Sequence, residues 1–418
     1  MDSNDNEYDQ PLSKREKLLR IKSKAKEVKM VVLSQVHDSS SSKKETARVT
    51  RINGLFPNTV NPVVFSAPML GTANGRLAAE VSLGGGFGFI PGGYNFSPPS
   101  PSSGVPSPSA PDHLAQLSNE LTVARKLLGL QEATLTPLPV GVGFILCHDS
   151  TATHFIERVI PVLQDHSPQA VWLFAPRVED VAGGVIKEII ERLHDNGFVV
   201  FYQVGNVKGV REAIRDGADV VVAQGTDAGG HQYVRGAGTM SFLREAVEVV
   251  KRENIEREKK GEGGVMVVGA GGVVDGWGVV GALALGAEAV VMGTRFIMAT
   301  EATTPDFRRE LIAKTEDGAL STFKHTVMDD IQGSTIWPEV YDGRAIVGDS
   351  VEDHLRGVPA EENIRLFKEA AEKGETSRMI TWAGSGVGLV NKVQPAGEIV
   401  REVREEALQR IKELQTLF

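Results

Sequence analysis

Cysteine is nearly absent from this chain, and its scarcity limits the chemistry that the protein can use. Cys147 is the single cysteine among the 418 residues, so the chain cannot form an internal disulfide. A thiolate zinc site needs several cysteines and is excluded as well. The composition suits a reducing compartment, and the N-terminal residues lack the apolar core of a signal peptide. We therefore expect a cytoplasmic protein.

Positive charge and aromatic side chains are also in short supply, which argues against two classes of partner. The 45 Lys and Arg residues are outnumbered by 54 Asp and Glu residues, giving a formal net charge of −9. Such a chain is a poor match for nucleic acid or for an anionic membrane. Aromatic residues make up 6% of the chain and leave little for base stacking. Because no apolar run approaches about 18 residues, we predict no transmembrane helix and expect neither nucleic acid nor a membrane as the main partner.

Several common catalytic motifs are missing from the sequence. It contains no GxxxxGK[ST] phosphate loop, no HExxH metal motif and no GxSxG nucleophile elbow. His148 and His154 are separated by a spacing that fits no common metal site. We therefore expect no metal cofactor. The sequence leaves the oligomeric state open.

Glycine, by contrast, is abundant, and short apolar runs recur along the chain. Glycine contributes 45 of the 418 residues, about 11%, against a usual 7% or so. Eight runs rich in β-branched residues alternate with helical segments, at residues 63–66, 87–90, 140–146, 170–174, 198–204, 219–223, 265–269 and 289–292. Near-continuous apolar runs are typical of parallel strands covered on both faces. The alternation predicts an α/β fold of the TIM (β/α)8 barrel type, with a doubly wound open sheet as the alternative.

Changes in composition divide the chain into four parts. Residues 1–50 are polar and charged and predict a flexible N-terminal arm, and residues 51–315 carry the predicted barrel. Residues 316–390 break the alternation, and we interpret them as a smaller, partly helical C-terminal substrate domain inserted over the barrel mouth. Residues 391–418 predict a C-terminal amphipathic helix. A Ser/Pro-rich stretch at 97–111 predicts a long surface loop.

The first candidate site follows the sixth predicted strand, where the sequence reads QGTDAGGH. Active sites of TIM barrels lie at the C-terminal ends of the strands. Gly229 and Gly230 allow the backbone to approach a flat ligand closely, and Gln224 stands at the strand end. His231 beside such a ligand can act as a general base near neutral pH. A glycine-rich turn with a surface histidine is the alternative interpretation.

The loops after the seventh and eighth predicted strands form a second candidate site. They read GAGGVVDG (269–276) and MGTRF (292–296). In phosphate-binding barrels these two loops hold the phosphate together, and free N–H groups at a helix start favour an anion. The candidate cofactor contacts in the two loops are Gly271, Gly272, Met292, Gly293 and Thr294.

Two side chains of the second loop have alternative interpretations. The hydroxyl of Thr294 can donate to a phosphate oxygen, or it can simply cap the helix. Arg295 can pair with the phosphate or with Glu301.

The end of the first predicted strand, within FSAPML (65–70), offers further contacts. Pro68 fixes the turn after Ala67, and Met69 presents a polarizable apolar face to an aromatic ring. Gly143, in the third strand, lets the backbone approach the same ligand. Methionine is more often core filler, so this motif is weak by itself.

Taken together and in this order, these motifs resemble the nitronate monooxygenase family, formerly called 2-nitropropane dioxygenases, and particularly its fungal-type members. The resembling stretches are APML, GGGFGFI, PVGVGF, QGTDAGGH, GAGGVVDGWGVVGALALGAEAVVMGTRF and GSGVGLV. They lie between about residues 52 and 408. The combination of AGGH, GAGGVVDG and MGTRF in this order is specific, although any one of them alone is not.

The resemblance implies an FMN-containing TIM barrel that oxidises alkyl nitronates with molecular oxygen, without a metal and without NAD(P)H. It implies that His231 is the catalytic base, which removes the α-proton of a neutral nitroalkane to give the nitronate. It also implies the flavin contacts: Gly271, Gly272, Gly293 and Thr294 at the phosphate, Gln224 and Gly229 beside the isoalloxazine or ribityl chain, and Met69 near the ring.

Two other functions remain open at this point. Similar glycine motifs serve FMN-dependent NAD(P)H:quinone and enoyl-thioester reductases, which oxidation of NADH would reveal. A flavin-binding scaffold without catalysis is the second alternative. It would gain support if a His231→Asn variant kept every turnover unchanged.

Overall fold

The computed structural model describes residues 50–98, 112–131, 136–334 and 336–417. The predicted N-terminal arm, apart from Thr50, and most of the predicted Ser/Pro loop lie outside the described residues. None of the helices in these ranges is long and apolar enough to cross a membrane.

The strands follow the predicted apolar runs closely, and three further strands appear. In chain order they are β1 (Val64–Ser66), β2 (Phe89–Pro91), β3 (Leu138–Ile145), β4 (Pro168–Phe174), β5 (Val199–Val204), β6 (Val220–Gln224), β7 (Gly230–Tyr233), β8 (Met266–Ala270), β9 (Ala289–Met292), β10 (Thr322–His325) and β11 (Tyr341–Ile346). Eight of them form one parallel sheet in the order β1-β9-β8-β6-β5-β4-β3-β2.

The eight-stranded sheet closes on itself. Phe65 of β1 pairs with Phe87, just before β2. The Phe87 N–H donates to the carbonyl of Val64 at 3.0 Å, and the Ser66 N–H donates to the carbonyl of Phe87 at 3.2 Å. The predicted TIM barrel is therefore confirmed, and the open-sheet alternative is wrong.

Side chains of the barrel strands alternate between two layers, because successive residues of a strand point to opposite faces. Phe65, Phe89 and Phe201 belong to the inner layer, which is rich in aromatic rings. Phe56 lies at the N-terminal end of the barrel, with its ring centroid 4.4 Å from that of Phe87. The N-terminal end of the barrel is thus a packed core, and space for a ligand remains at the C-terminal ends of the strands.

Helices cover the outside of the barrel, and further helices lie in the segment between β9 and the last helix. The α-helices are Arg51–Leu55, Gly75–Leu83, His113–Leu127, Ser150–His154, Ile160–His166, Val178–Ala182, Val185–Asp195, Val207–Asp216, Thr239–Lys259, Gly276–Ala284, Thr294–Ile297, Asp306–Lys314, Gly318–Ser321, Val327–Gln332, Asp349–Leu355, Ala360–Lys373 and Ala396–Gln415. A π-helical turn spans Phe155–Val159 and a 3-10 helix spans Ser385–Leu389. Helices Val178–Ala182 and Val185–Asp195 are separate because the chain turns at Gly184, whose φ is +79°.

The last helix, Ala396–Gln415, packs against the barrel rather than standing apart from it. A Cβ atom on Gly84 would lie 2.9 Å from the Cα of Gly397, and one on Gly276 would lie 2.4 Å from the N of Ala407. These close approaches join the last helix to helices Gly75–Leu83 and Gly276–Ala284. The chain therefore inserts about 100 residues between β9 and the last helix of the outer layer. The proposed domain boundaries remain an interpretation.

A second, antiparallel sheet combines part of this insertion with a strand that the sequence did not suggest. Its order is β10-β11-β7, with His231 of β7 opposite Gly343 of β11. β7 has the sequence GHQY, without the apolar run by which the barrel strands were recognised. As a result, His231 lies on a paired strand rather than on a free loop.

Candidate functional site

A cavity of about 360 Å³ opens at the C-terminal ends of the barrel strands. Its size is within the range of about 300–1,000 Å³ that is usual for small-molecule sites. Twelve of the thirteen predicted site residues line it: Ala67, Pro68, Met69, Gly143, Gln224, Gly229, Gly230, His231, Gly271, Gly272, Gly293 and Thr294. The predicted motifs therefore meet at one place.

Met292 is the predicted site residue that does not line the cavity. Its side chain is fully buried in the outer layer, between the barrel strands and the helices. Val291, its neighbour in β9, faces the cavity instead, as the alternation of a strand requires. Met292 contributes through its backbone, since its carbonyl accepts a hydrogen bond from the N–H of Ala67 at 3.0 Å.

The imidazole of His231 is hydrogen-bonded to a carboxylate. Its Nε2 lies 2.9 Å from Oδ1 and 3.1 Å from Oδ2 of Asp329. Asp329 belongs to helix Val327–Gln332 of the insertion, and its side chain is only 8% exposed. A carboxylate at one ring nitrogen fixes the tautomer and the orientation of a histidine. The same pair excludes the interpretation of His231 as a surface histidine, since that side chain is 14% exposed.

Two tryptophans hold the imidazole ring of His231 in place. The ring of Trp337 stacks on it, with centroids 3.5 Å apart and planes 11° apart. Trp382 contacts it at a tilt, with centroids 4.8 Å apart. Both tryptophans line the cavity and come from the insertion. The insertion thus contributes the carboxylate and both rings that surround the histidine.

The loop after β8 adopts a backbone shape that favours glycine. Gly271 and Gly272 have φ values of +104° and +71°, in the left-handed region that other residues rarely adopt. Within the described part of the chain, the N–H groups of Gly272 and Val273 have no hydrogen-bond partner. Free N–H groups at the cavity wall are suited to an anion.

Thr294 links the loop after β9 to the segment 382–388. Its Oγ1 accepts a hydrogen bond from the N–H of Gly384 at 3.0 Å, which leaves the hydroxyl proton available to a ligand. Gly384 and Gly386 also line the cavity. The glycine-rich segment of the insertion therefore forms one wall of the same site.

Arg295 takes neither of its two predicted partners. Its guanidinium is buried and donates to the carbonyl of Lys392 at 3.1 Å and to Oε1 of Gln394 at 2.7 Å. Glu301 instead accepts the N–H of Ala396 at 2.9 Å, at the start of the last helix. Both side chains anchor the C-terminal helix. The expected pairing of Arg295 with Glu301 is wrong, and Arg295 is not among the residues that line the cavity.

The turn after β1 is fixed by close contact with β3. A Cβ atom on Gly143 would lie 2.3 Å from Cγ of Pro68, a distance that real atoms do not adopt. A Cβ atom on Gly293 would lie 3.6 Å from the Sδ atom of Met69, which is ordinary van der Waals contact. The first and last barrel strands therefore bring Pro68, Met69 and Gly293 to the same wall.

Several polar atoms in the cavity wall lack partners. The Nε2 of Gln224 donates to the carbonyl of His231 at 3.2 Å, but its Oε1 is buried and unpaired. The hydroxyls of Thr304 and Thr381 and the Nε of Arg308 are likewise buried without a partner in the described residues. Because buried polar atoms normally form hydrogen bonds, this wall is suited to a polar ligand.

The side chains that line the cavity carry no negative charge. Its lining residues include His231 and Arg308 but neither Asp nor Glu. Burial lowers the pKa of Arg308 from its ordinary value. In the described residues no group of three or more His, Cys, Asp or Glu side chains is arranged to hold a metal ion.

Sequence reasoning missed Asp329, Arg308 and Thr304 as site residues, and it assigned no role to Trp337 or Trp382. The insertion carries no motif that marks Asp329, which is 98 residues from its histidine partner. Arg308 lies at the beginning of helix Asp306–Lys314, in a stretch with ordinary helix composition. Only proximity in the folded chain identifies these residues.

Comparison with known proteins supports the predicted resemblance. The family model of nitronate monooxygenase matches residues 175–406. A nitronate monooxygenase of Neurospora crassa is 52% identical over 386 residues, which cover 91% of this chain and 98% of the relative. Nitronate monooxygenase npaC of Metarhizium robertsii is 33% identical, over 84% of this chain and 92% of the relative.

Solved structures show the same fold at low identity. FabK from Thermotoga maritima has a TM-score of 0.64 at 22% identity, covering 89% of this chain and 100% of that chain. A nitroalkane oxidase from Streptomyces ansochromogenes has a TM-score of 0.63 at 23% identity, covering 87% of this chain and 100% of that chain. With its match to the family model and its 52% identity to a full-length relative, the chain belongs to the nitronate monooxygenase family and is an oxidoreductase.

Proposed function

We propose that the protein oxidises alkyl nitronates with molecular oxygen, using FMN bound in the cavity, and that His231 removes the α-proton when the substrate is a neutral nitroalkane. One observation carries this proposal. A histidine fixed by Asp329 lies on the wall of a cavity that also contains two glycine loops, and in the loop after β8 two N–H groups have no partner among the described residues.

The residues present fit a flavin mononucleotide. The free N–H groups of Gly272 and Val273 and the hydroxyl of Thr294 are donors suited to its phosphate. The unpaired Oε1 of Gln224 can accept a hydrogen bond from the ribityl chain or from the ring edge. Met69 offers an apolar face to the isoalloxazine. No carboxylate in the lining would repel the phosphate.

His231 is equipped to act as a base. With its Nε2–H donated to Asp329, the neutral imidazole leaves Nδ1 without a proton and available to the substrate. The stacked ring of Trp337 restrains rotation of the imidazole, and Asp329 stabilises the positive charge that develops on proton transfer. Bound FMN would supply the acceptor for the electrons of the nitronate, with molecular oxygen as the final oxidant.

A nitronate needs no proton removed, so His231 then serves only to bind and orient it, with Asp329 holding the imidazole in position. The aromatic part of the cavity, which includes Trp172, Phe174 and Trp337, excludes water from an alkyl group. The proposed substrates are therefore small nitro compounds with an apolar chain.

An oxygen-consumption assay tests the proposal. Purified protein reconstituted with FMN is given ethyl nitronate, nitroethane, or NADH with a quinone. Oxygen consumption with ethyl nitronate in the absence of NADH supports the proposal. Turnover of NADH with quinone, together with inertness toward nitronate, would favour the reductase alternative. Binding of FMN with no turnover of any of these compounds would favour the scaffold.

A further inference from the structure

Arg308 stands out in the cavity as a cation without a partner among the residues that the structure describes. It lies in the first turn of helix Asp306–Lys314 and lines the cavity wall. In the described part of the chain, no carboxylate lies within salt-bridge distance of its guanidinium, which also donates no hydrogen bond. Its Nε is fully buried. Its guanidinium carbon lies 5.5 Å from the centroid of the Phe307 ring.

The acidic residue at the start of this helix, Asp306, pairs with a different arginine. Asp306, two residues earlier, lies 3.4 Å from Arg309. Arg309 in turn donates through Nη2 to the carbonyls of Ala299 and Ala302, although its Nε, like that of Arg308, is buried without a partner in the described residues. Among those residues, the guanidinium of Arg308 has no comparable carbonyl or carboxylate partner. A partly buried guanidinium is costly unless an anion pairs with it.

A second unpaired group lies near Arg308 in sequence and faces the same cavity. Thr304, just before the helix, is 7% exposed and its Oγ1 has no partner within the described residues. The loop that carries it is tied to the turn after β1, since the N–H of Thr303 donates to the carbonyl of Thr72 at 2.8 Å. The segment that carries Thr304 and Arg308 is separate in sequence from the loop after β8, which contains Gly271 and Gly272, and both segments line the cavity.

We propose that Arg308 and Thr304 form an oxyanion-binding site in the cavity wall, in addition to the glycine loops. Guanidinium binds planar or tetrahedral oxyanions through paired N–H donors, and a threonine hydroxyl supplies one further donor. The inference rests on the proposed function. The oxyanion is either the phosphate of the flavin or the charged nitronate group of the substrate, and the two sources can be separated by experiment.

The first arm measures flavin binding without turnover. Apoprotein is titrated with FMN and with riboflavin, which lacks the phosphate, and quenching of flavin fluorescence is followed. If Arg308 binds the phosphate, Arg308→Gln weakens FMN binding about tenfold or more and leaves riboflavin binding unchanged. Arg308→Lys keeps the charge and gives an intermediate affinity.

The second arm measures the substrate. If the oxyanion is the nitronate, Arg308→Gln leaves the affinities for FMN and riboflavin unchanged. The variant then raises the KM for ethyl nitronate about tenfold or more, with a smaller change in kcat.

Lys314→Gln is the matched control, because it removes one charge from the exposed end of the same helix. The proposal is overturned if Arg308→Gln, like Lys314→Gln, stays within about twofold of wild type in FMN affinity, riboflavin affinity and KM. A wild-type protein that prefers FMN to riboflavin, with that preference lost in Arg308→Gln, supports the oxyanion site even if nitronate is not turned over. A wild-type protein that binds neither flavin nor nitronate would overturn both proposals.

Discussion

The Nε2 of His231 lies 2.9 Å from Oδ1 of Asp329, although 98 residues separate them in the chain. The two come from different parts of the molecule: His231 from β7, beside the barrel, and Asp329 from the insertion after β9. Strand β11 of the insertion pairs with β7, and this pairing joins the insertion that carries Asp329 to the strand that carries His231. The insertion therefore builds the site as well as covering it.

Replacing the base tests the role of His231 directly. In His231→Asn, we expect kcat/KM for nitroethane to fall about 10²–10⁴-fold, which is the usual contribution of general-base catalysis. The value for ethyl nitronate should fall much less, because that substrate has already lost its proton. Steady-state oxygen consumption with both substrates measures the difference. Equal losses on the two substrates would mean that His231 binds substrate but does not act as a base.

Removing the negative charge of Asp329 should also lower kcat/KM for nitroethane, but by less than the loss of His231. Asp329→Asn keeps the size of the side chain and an acceptor oxygen, but not the carboxylate that stabilises the imidazolium. We expect kcat/KM for nitroethane to fall about 10- to 100-fold, with little change for ethyl nitronate and for the affinity of FMN. Asp330→Asn, an exposed neighbour on the same helix, is the control. If the two variants behave alike, the carboxylate of Asp329 has no catalytic role.

Two glycines give opposite predictions for stability. An alanine at Gly143 would place its Cβ 2.3 Å from Pro68, so we expect a loss of about 1–3 kcal/mol and a lower flavin content. An alanine at Gly281 meets no atom within 4 Å and lies within helix Gly276–Ala284, so it should raise stability by up to about 1 kcal/mol. Thermal unfolding and the flavin-to-protein absorbance ratio measure both. A Gly143→Ala variant with wild-type Tm and flavin content would contradict the packing described.

Stability should depend on pH through His194. Its Nε2 lies 2.9 Å from Oδ2 of Asp219, and this hydrogen bond raises the pKa of His194 above its ordinary value. A raised pKa in the folded state contributes stability below the ordinary pKa of about 6.5, and that stability is lost as the pH rises through the raised value.

We therefore expect His194→Gln to lower the Tm more at pH 5.5 than at pH 8.5. Both side chains are more than one-third exposed, so solvent screening limits the difference to at most about 1 kcal/mol. A penalty that is equal at the two pH values would contradict the ion pair.

The barrel could be predicted because its strands leave a strong pattern. Strands covered on both faces are continuous apolar runs, and all eight expected runs coincide with barrel strands. The glycine motifs and His231 could be brought together for a related reason, since the C-terminal ends of parallel strands meet at one edge.

The rest of the site could not be predicted because it depends on tertiary contacts. β7 has no apolar run, and Asp329 and Trp337 come from an insertion without a readable motif. The prediction placed Met292 in the site, but Val291 is the residue that faces the cavity. Neighbouring residues of a strand point to opposite faces, so an error of one residue in the expected orientation of β9 exchanges the two. The cytoplasmic location remains a prediction from composition.

The most direct test of the central claim is the visible spectrum of the purified protein under anaerobic conditions, before and after ethyl nitronate is added without NADH. The account predicts a flavin spectrum that loses its visible absorbance on addition of the nitronate and recovers it when oxygen is admitted. A flavin spectrum that ignores the nitronate but bleaches with NADH would contradict the account and favour a reductase. A colourless protein that cannot be reconstituted with FMN would contradict it altogether.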